Sequence, residues 1–265
     1  MAGVSDIQTV FDKKQTIARI FWIVVINCVL PLFSVPQSVA APDPLAFRYL
    51  RSVHVLRQML PGTHWPAVNI SSQIRNHDTT NALLSHPDKT FVLESVSRDL
   101  EAVVKTEKFP ESGYFAAQTL ALLGRHAPAA SAMKAYIAKA PFREEHYLFL
   151  VRELHMAAAY EAVITAARQW QIRGNAAGKF CSEERLAYTW GSFQVRGMYR
   201  EAMEEILSDP CDTWQGQVYF AKSSLSLGDE DSAYTRILST IQAHPDNVRA
   251  IESLWDTLTM AERYP

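Results

Sequence analysis

Few groupings in this chain have the residue types and spacing to do chemistry. Gly174-Asn-Ala-Ala-Gly178-Lys179-Phe180 has the outline of a loop that cradles phosphate on backbone N–H groups. Such a loop needs four residues between its glycines, and a Ser or Thr after the lysine to hold magnesium. Here three residues intervene and Phe180 stands at the hydroxyl position, so the segment reads as a flexible connection. Of the eight histidines, His146 and His155 share one helical segment. Nine residues at about 100° each set them on opposite faces, where one metal cannot reach both. No two cysteines have zinc-finger spacing. A carboxylate precedes a hydroxyl at Glu94-Ser95, Glu111-Ser112 and Glu252-Ser253, but a dipeptide alone does not make a general acid; each Glu reads more simply as a solvated or first-turn residue. Trp170, Trp190, Trp214 and Trp255 offer flat surfaces for sugars, yet their helical spacing with Leu and Ala assigns them to a core. The expectation is therefore a chain without metal or cofactor, and not an enzyme.

The elements that would position these residues are helices. Trp214, Val218, Ala221 and Leu225 recur at helical spacing, Leu227-Gly228-Asp229 makes a stop and a new cap, and Ala233, Ile237 and Ile241 form a second stripe closed by His244-Pro245-Asp246. The same marks return upstream. Tyr114, Ala117 and Leu120 precede Gly124, then Ala129, Met133 and Tyr136 run to Pro141. Gly124 to Pro141 and Gly228 to Pro245 are both seventeen residues. A third copy has Leu186, Trp190 and Phe193, Gly197, then Ala202 and Ile206, ending at Asp209-Pro210. A weaker copy has Tyr147, Leu150 and Leu154, then Ala162, Ala166 and Trp170, ending near Gly174.

This pattern resembles the tetratricopeptide repeat, a helix–turn–helix unit of about 34 residues. The alanines taken to mark the helix crossings, Ala129, Ala162, Ala202 and Ala233, are 33, 40 and 31 residues apart, and the long interval coincides with a loop expected at 171–182. An irregular helical domain without true repeats is the alternative. The resemblance implies an all-α fold, an α-solenoid of such pairs over residues 110–247, with a helical N-terminal region at 43–109 and a C-terminal capping helix at 248–265. In the N-terminal region Leu45 to Leu60 and Asp88 to Lys108 read as helices, the second with Phe91, Val92, Val96, Leu100 and Val103 apolar. In the cap Val248, Ile251, Leu254, Trp255 and Leu258 are expected on one face.

The first forty residues differ in kind. Lys13, Lys14 and Arg19 precede an apolar run from Ile20 to Val35, and Ser38-Val39-Ala40 follows with small residues at the cleavage positions. Sixteen residues span only about 24 Å of helix, less than a hydrocarbon core of roughly 30 Å. A cleaved export signal over residues 1–40 is expected, with an uncleaved anchor through 20–35 as the alternative and the periplasm as destination. Cys28 lies inside the apolar run, after Asn27, and does not suit lipidation. That leaves Cys181 and Cys211. Each precedes the first helix of a pair, and stacked repeats bring equivalent positions side by side, so a disulfide is expected; two isolated thiols are the alternative.

The charge balance, 26 basic against 28 acidic residues, shows no basic stripe and argues against nucleic acid as a partner. In tetratricopeptide proteins the first helix of each pair lines the binding face. Matching by repeat implies binding positions at Tyr114 and Gln118, Tyr147 and His155, Gln194, and Gln215 and Lys222. Lys222 lacks basic residues at matching neighbours, so the clamp for C-terminal carboxylates is not evident. The partners implied are proteins, as for an exported scaffold in a cell-envelope assembly such as a secretion, pilus, polysaccharide or flagellar system. A chaperone or maturation factor for another enzyme is the alternative. A helical peptidoglycan-acting enzyme is remoter: lytic transglycosylases use a Glu followed by Ser, but their aromatic groove motifs are missing here.

The export signal predicts a mature chain beginning at Ala41. N-terminal sequencing of the exported protein should read Ala-Pro-Asp-Pro; residues 1–40 intact in a carbonate-resistant membrane fraction would instead mean an anchor.

Overall fold

The computed structural model describes residues 43–61, 65–178, 180–211 and 213–263. The export signal and Cys28 lie outside the described residues. Compact packing divides the chain into Met1–Phe47, of which only residues 43–47 are described, and Arg48–Pro265, which holds the helical array. Among the described residues there are thirteen helices and no strand.

The N-terminal region contains α1 (Pro44–Met59), two short helices, α2 (Ser72–Arg75) and α3 (Asp78–Leu84), and α4 (Lys89–Val104). Helix α4 starts where Asp88 accepts the N–H groups of Thr90 and Phe91, at 2.8 and 3.3 Å, two donors otherwise left without partners in a first turn. Val92, Val96, Leu100 and Val103 form its buried stripe. Phe91 does not join them; it is 47 % exposed and stacks on His86 at 4.4 Å. His86 accepts the N–H of Asp88 at 3.1 Å, completing the turn before the helix. Arg51 of α1 reaches Asp99 of α4.

Four helix pairs follow: α5 (Ser112–Leu122) with α6 (His126–Ile137), α7 (Glu144–Met156) with α8 (Tyr160–Ala177), α9 (Glu183–Val195) with α10 (Tyr199–Ser208), and α11 (Trp214–Ser226) with α12 (Glu230–Ala243). Helix α13 (Val248–Arg263) closes the series. From α4 onward each helix packs on the next, and α7 also packs on α9, α9 on α11 and α11 on α13. Such packing between nearest neighbours is what makes an array of pairs a solenoid.

The pairs share one turn. Gly124, Ala158, Gly197 and Gly228 are all left-handed, with φ of 70°, 55°, 67° and 77°. In each, the following residue donates its N–H to the carbonyl five positions back: Arg125 to Leu120, Ala159 to Leu154, Met198 to Phe193 and Asp229 to Ser224, all at 2.9–3.0 Å. This closes the last turn of the first helix and aims the chain into the second. Five residues after each left-handed position comes a buried residue at the helix crossing: Ala129, Val163, Ala202 and Ala233. The turns are thus 34, 39 and 31 residues apart.

That register corrects the weaker copy. Ala162 is exposed, and Val163 takes the crossing position. The turn there carries Ala158 where the other three carry glycine, so its usual mark is missing. The expected loop at 171–182 is also mostly helix. Helix α8 runs to Ala177, with Gly174 buried inside it. Phe180 folds back across Gly174 onto Trp170 and Phe142, with ring centres 5.8 Å from each. A Cβ at Gly174 would stand 2.5 Å from the Phe180 ring, so only glycine admits this packing.

Cys181 and Cys211 are joined, with Cα atoms 5.6 Å apart. The bridge ties the segments that lead into α9 and α11. Closing a loop across a separation of 30 residues contributes about 3–4 kcal/mol in the chain-entropy model. In the cap, Leu254, Ala250 and Thr257 form the buried stripe, with Leu258 partly covered. Val248 and Trp255, expected on that stripe, are 64 % and 67 % exposed, because they fall on the opposite side of the helix from Leu254's neighbours.

The register predicts opposite outcomes for adjacent alanine sites. Ala202→Leu and Ala233→Leu should each cost about 1–3 kcal/mol by overpacking, and Gly174→Ala should fall in the same range. Ala162→Leu, facing solvent, should stay within about 0.5 kcal/mol. Urea midpoints measure this; a midpoint for Ala162→Leu as low as that for Ala202→Leu would contradict the crossing at Val163.

Candidate functional site

The first helices α7, α9 and α11 present a common face because α9 lies directly against both α7 and α11. Its centre is built by α9 and α11. Trp190 stacks on Tyr219, with ring centres 4.6 Å apart and planes 10° from parallel. The Trp190 indole N–H donates to Ser223 Oγ at 3.1 Å. Lys222 Nζ stands 5.8 Å from the Trp190 ring centre, within the range of a cation–π contact. These side chains meet because positions 219, 222 and 223 of α11 lie one helical turn apart and face the same side of α9. Burial pushes the Tyr219 phenol up, and Glu183 adds to the effect.

Helix α7 adds His155, whose ring meets Tyr188 of α9 edge-on at 5.6 Å and Tyr160 at 5.4 Å. Beside Trp190, Gly191 faces open space: a Cβ there would meet nothing within 4 Å. Gln194 is exposed one turn further along. Gln215, half-buried at the start of α11, has an Oε1 without a hydrogen-bond partner among the described residues. His155, Gln194, Gln215 and Lys222 therefore sit on the first helices as surface or half-surface groups, around a stacked Trp–Tyr pair.

Tyr114, Gln118 and Tyr147 are placed differently. Tyr147 is 3 % exposed and stacks on Trp170 inside the core. Tyr114 is also buried, ringed by Trp65, Phe115, Tyr136 and His146 at 5.3–6.3 Å. Burial raises its phenol, while a hydrogen bond with Gln118 works the other way. Gln118 thus holds a core hydroxyl from the half-buried edge of α5.

Trp190, Tyr188 and Tyr219 belong to this face although their spacing assigned Trp190 to the core. Their neighbours on adjacent first helices leave them half-exposed. A second feature has a simple signal. Leu122, Met156 and Val195 each stand two residues before the left-handed residue of their turn, and each is exposed, at 44 %, 60 % and 60 %. Aligning the chain on its turns brings these three into one register. The carboxylates considered for acid catalysis lie on separate helices: Glu94 pairs with Arg125, Glu111 stands at the start of α5, and Glu252 is exposed on α13.

Fold and face together define an all-helical array of tetratricopeptide-like pairs with a polar and aromatic surface on its first helices. No protein-family model matches the chain, and no curated protein matches it. Among solved structures it is similar to a thermophilic tetratricopeptide-repeat protein, TTC0263, of Thermus thermophilus, at 16% identity and a TM-score of 0.40, over 64% of this chain and 92% of that one. It is also similar to MamA, at 13% identity and a TM-score of 0.42, over 68% and 99%. At such low identity and score neither bears on this chain's ligands, and the repeat architecture rests on the shared turns.

Two buried histidines predict a pH dependence. His146 is 6 % exposed and its pKa is lowered by burial; Glu145 opposes and Arg143 reinforces the shift. His54 is lowered in the same way by burial, Arg75 and Arg57. Both are neutral in the folded chain at pH 7. Below about pH 6.5 the unfolded chain takes up protons that the folded chain resists, so stability falls with pH, by at most about 1.4 kcal/mol per pH unit for each histidine. Urea unfolding at pH 7.5, 6.5 and 5.5 should show this loss, and His146→Phe should flatten it; an unchanged slope in the variant would exclude His146 as a source.

Proposed function

We propose that this chain is an exported scaffold or adaptor that holds a protein partner on the first-helix face, within a cell-envelope assembly. The observation that carries the reading is the cluster of Trp190, Tyr219 and Lys222 with Gln194 and Gln215 beside it. Large, rigid rings with polar edges supply contact area at low entropic cost, and amides supply both donors and acceptors. The Cys181–Cys211 disulfide supports export, since such bridges persist in oxidising compartments. The apolar run from Ile20 to Val35, followed by Ser38-Val39-Ala40, supports the same destination. A maturation factor would use the same face on a client held only briefly.

Affinity capture of the full chain from its native host, after fractionation, tests both parts. A stoichiometric partner in the periplasmic or envelope fraction is the expected result. It should be lost from the Gln194→Ala, Lys222→Glu double variant with the unfolding midpoint kept. A substoichiometric client that exchanges during washing would favour the maturation reading. Recovery of the chain in the cytosol, with both cysteines alkylatable, would overturn export.

A further inference from the structure

Apart from the Trp190–Tyr219 cluster, a cleft of about 430 Å³ opens between the end of α4, the 105–111 connection, the start of α5 and the end of α6. Small-ligand pockets begin at roughly 300 Å³. Its walls are apolar, formed chiefly by Val104, Phe109, Ala132, Ala135, Tyr136 and Pro141. Gly113 lets the wall close up, since a Cβ there would stand 3.2 Å from the Tyr136 Cβ.

The charges around the cleft are unequal in their partners. Lys139 bonds Glu107 at 2.6 Å, and both are largely exposed, so that pair neutralises itself at the rim. Nearby Arg143 faces Glu145 at 3.4 Å. Arg57 is spent on backbone carbonyls, including that of Val68 at 2.9 Å. Glu111 has no such partner. It occupies the N-cap position of α5 without making the side-chain cap bond, and no ion pair reaches it among the described residues. It is half-buried, and near enough to Tyr49 and Tyr136 for its charge to oppose ionisation of both phenols. A half-buried carboxylate beside an apolar, ring-lined wall is favourable for a cation brought to it.

We propose that this cleft docks a linear peptide segment of a partner protein in which Lys or Arg stands beside an aliphatic or aromatic residue. The apolar side chain enters between Phe109 and Tyr136, and the cationic head meets the Glu111 carboxylate. Tyr136 and Phe109 add ring faces that also attract a cation. The inference rests on the reading that partners of this chain are proteins, but it concerns residues other than the Trp190–Tyr219 cluster and its polar neighbours.

The test uses the full chain, labelled with 15N, and acetyl-Ala-Leu-Arg-Phe-Ala-amide as the probe, with Gln or Glu in place of Arg as controls. Amide shifts should move at Gly113, Ala132 and Ala135. Affinity should fall by about 3–10-fold from Arg to Gln, as one partly screened ion pair allows, and further to Glu. Glu111→Gln should abolish the difference between the Arg and Gln peptides and leave the unfolding midpoint unchanged. Ala132→Trp, which fills the cleft, should abolish all shifts; if that variant does not fold, Glu111→Gln alone decides. Equal affinity for the three peptides, no shifts, or shifts confined to other residues would overturn the proposal. So would phenethylamine binding as tightly as the Arg peptide, or self-association through the cleft. A partner still captured by the full chain when the peptide fails would remove the cleft and leave the first-helix reading standing.

Discussion

The array depends on one backbone constraint, the left-handed residue between the two helices of each pair. It fixes the bond from the following N–H to the carbonyl five residues back, and so fixes the angle at which the second helix leaves. With the angle set, the residue five positions later falls at the crossing, and only a small or compact side chain fits there. Ala129, Ala202 and Ala233 are small; Val163 is the largest of the four, in the pair with the longest second helix. A pair so closed still shows an apolar face that it cannot cover by itself. Stacking is the consequence, and the buried cores of successive pairs follow from it.

The interval between the second and third turns exceeds the first by five residues, and the chain compensates there. The extra length becomes helix in α8, capped by Phe180 lying over Gly174. Just beyond it, the disulfide ties the segments entering α9 and α11. Beneath the disulfide, Arg185 is 2 % exposed and bonds Asp209, with Glu205 at 3.8 Å; Asp209 also accepts the N–H of Cys211 at 2.9 Å. Burial lowers the Arg185 pKa and Glu205 partly restores it. Ions this deep cost several kcal/mol each to desolvate, so the cluster is poor evidence of added stability. Removing one partner, by contrast, leaves an uncompensated buried charge, at a cost of about 3–5 kcal/mol.

Most of the fold was legible because its marks are local. Glycine at a left-handed turn, an Asp or Ser cap, and apolar residues at intervals of three and four are each visible in a single sequence. The register of the second pair was not, because Ala158 adopts without glycine the conformation that glycine marks elsewhere. Phe180 over Gly174 was also hidden: a glycine in a helix reads as an end, and only the returning ring explains it. The disulfide was readable from equivalent positions in stacked units. The site was less so. Tyr114 and Tyr147 have the residue type of a binding surface and the burial of a core, and type alone does not separate the two. Trp190 is the reverse, a core residue type left half-exposed, with its indole stacked on Tyr219 of α11.

The cap shows how these levels interact. A terminal helix needs an outward side that water accepts. Helix α13 buries Ala250, Leu254 and Thr257 against the last pair, and its remaining surface carries Arg249, Glu252 and Asp256. Trp255 and Val248 stand among those charges. An indole at this position stays largely outside the packing of α13, which Leu254 and its neighbours supply. The same holds for Leu122, Met156 and Val195 at the ends of the first helices: the turns would close equally well with polar residues, as Ser226 shows at the equivalent place in the fourth pair. At one register in three successive units, apolar side chains thus stand where closure of the turn does not require them.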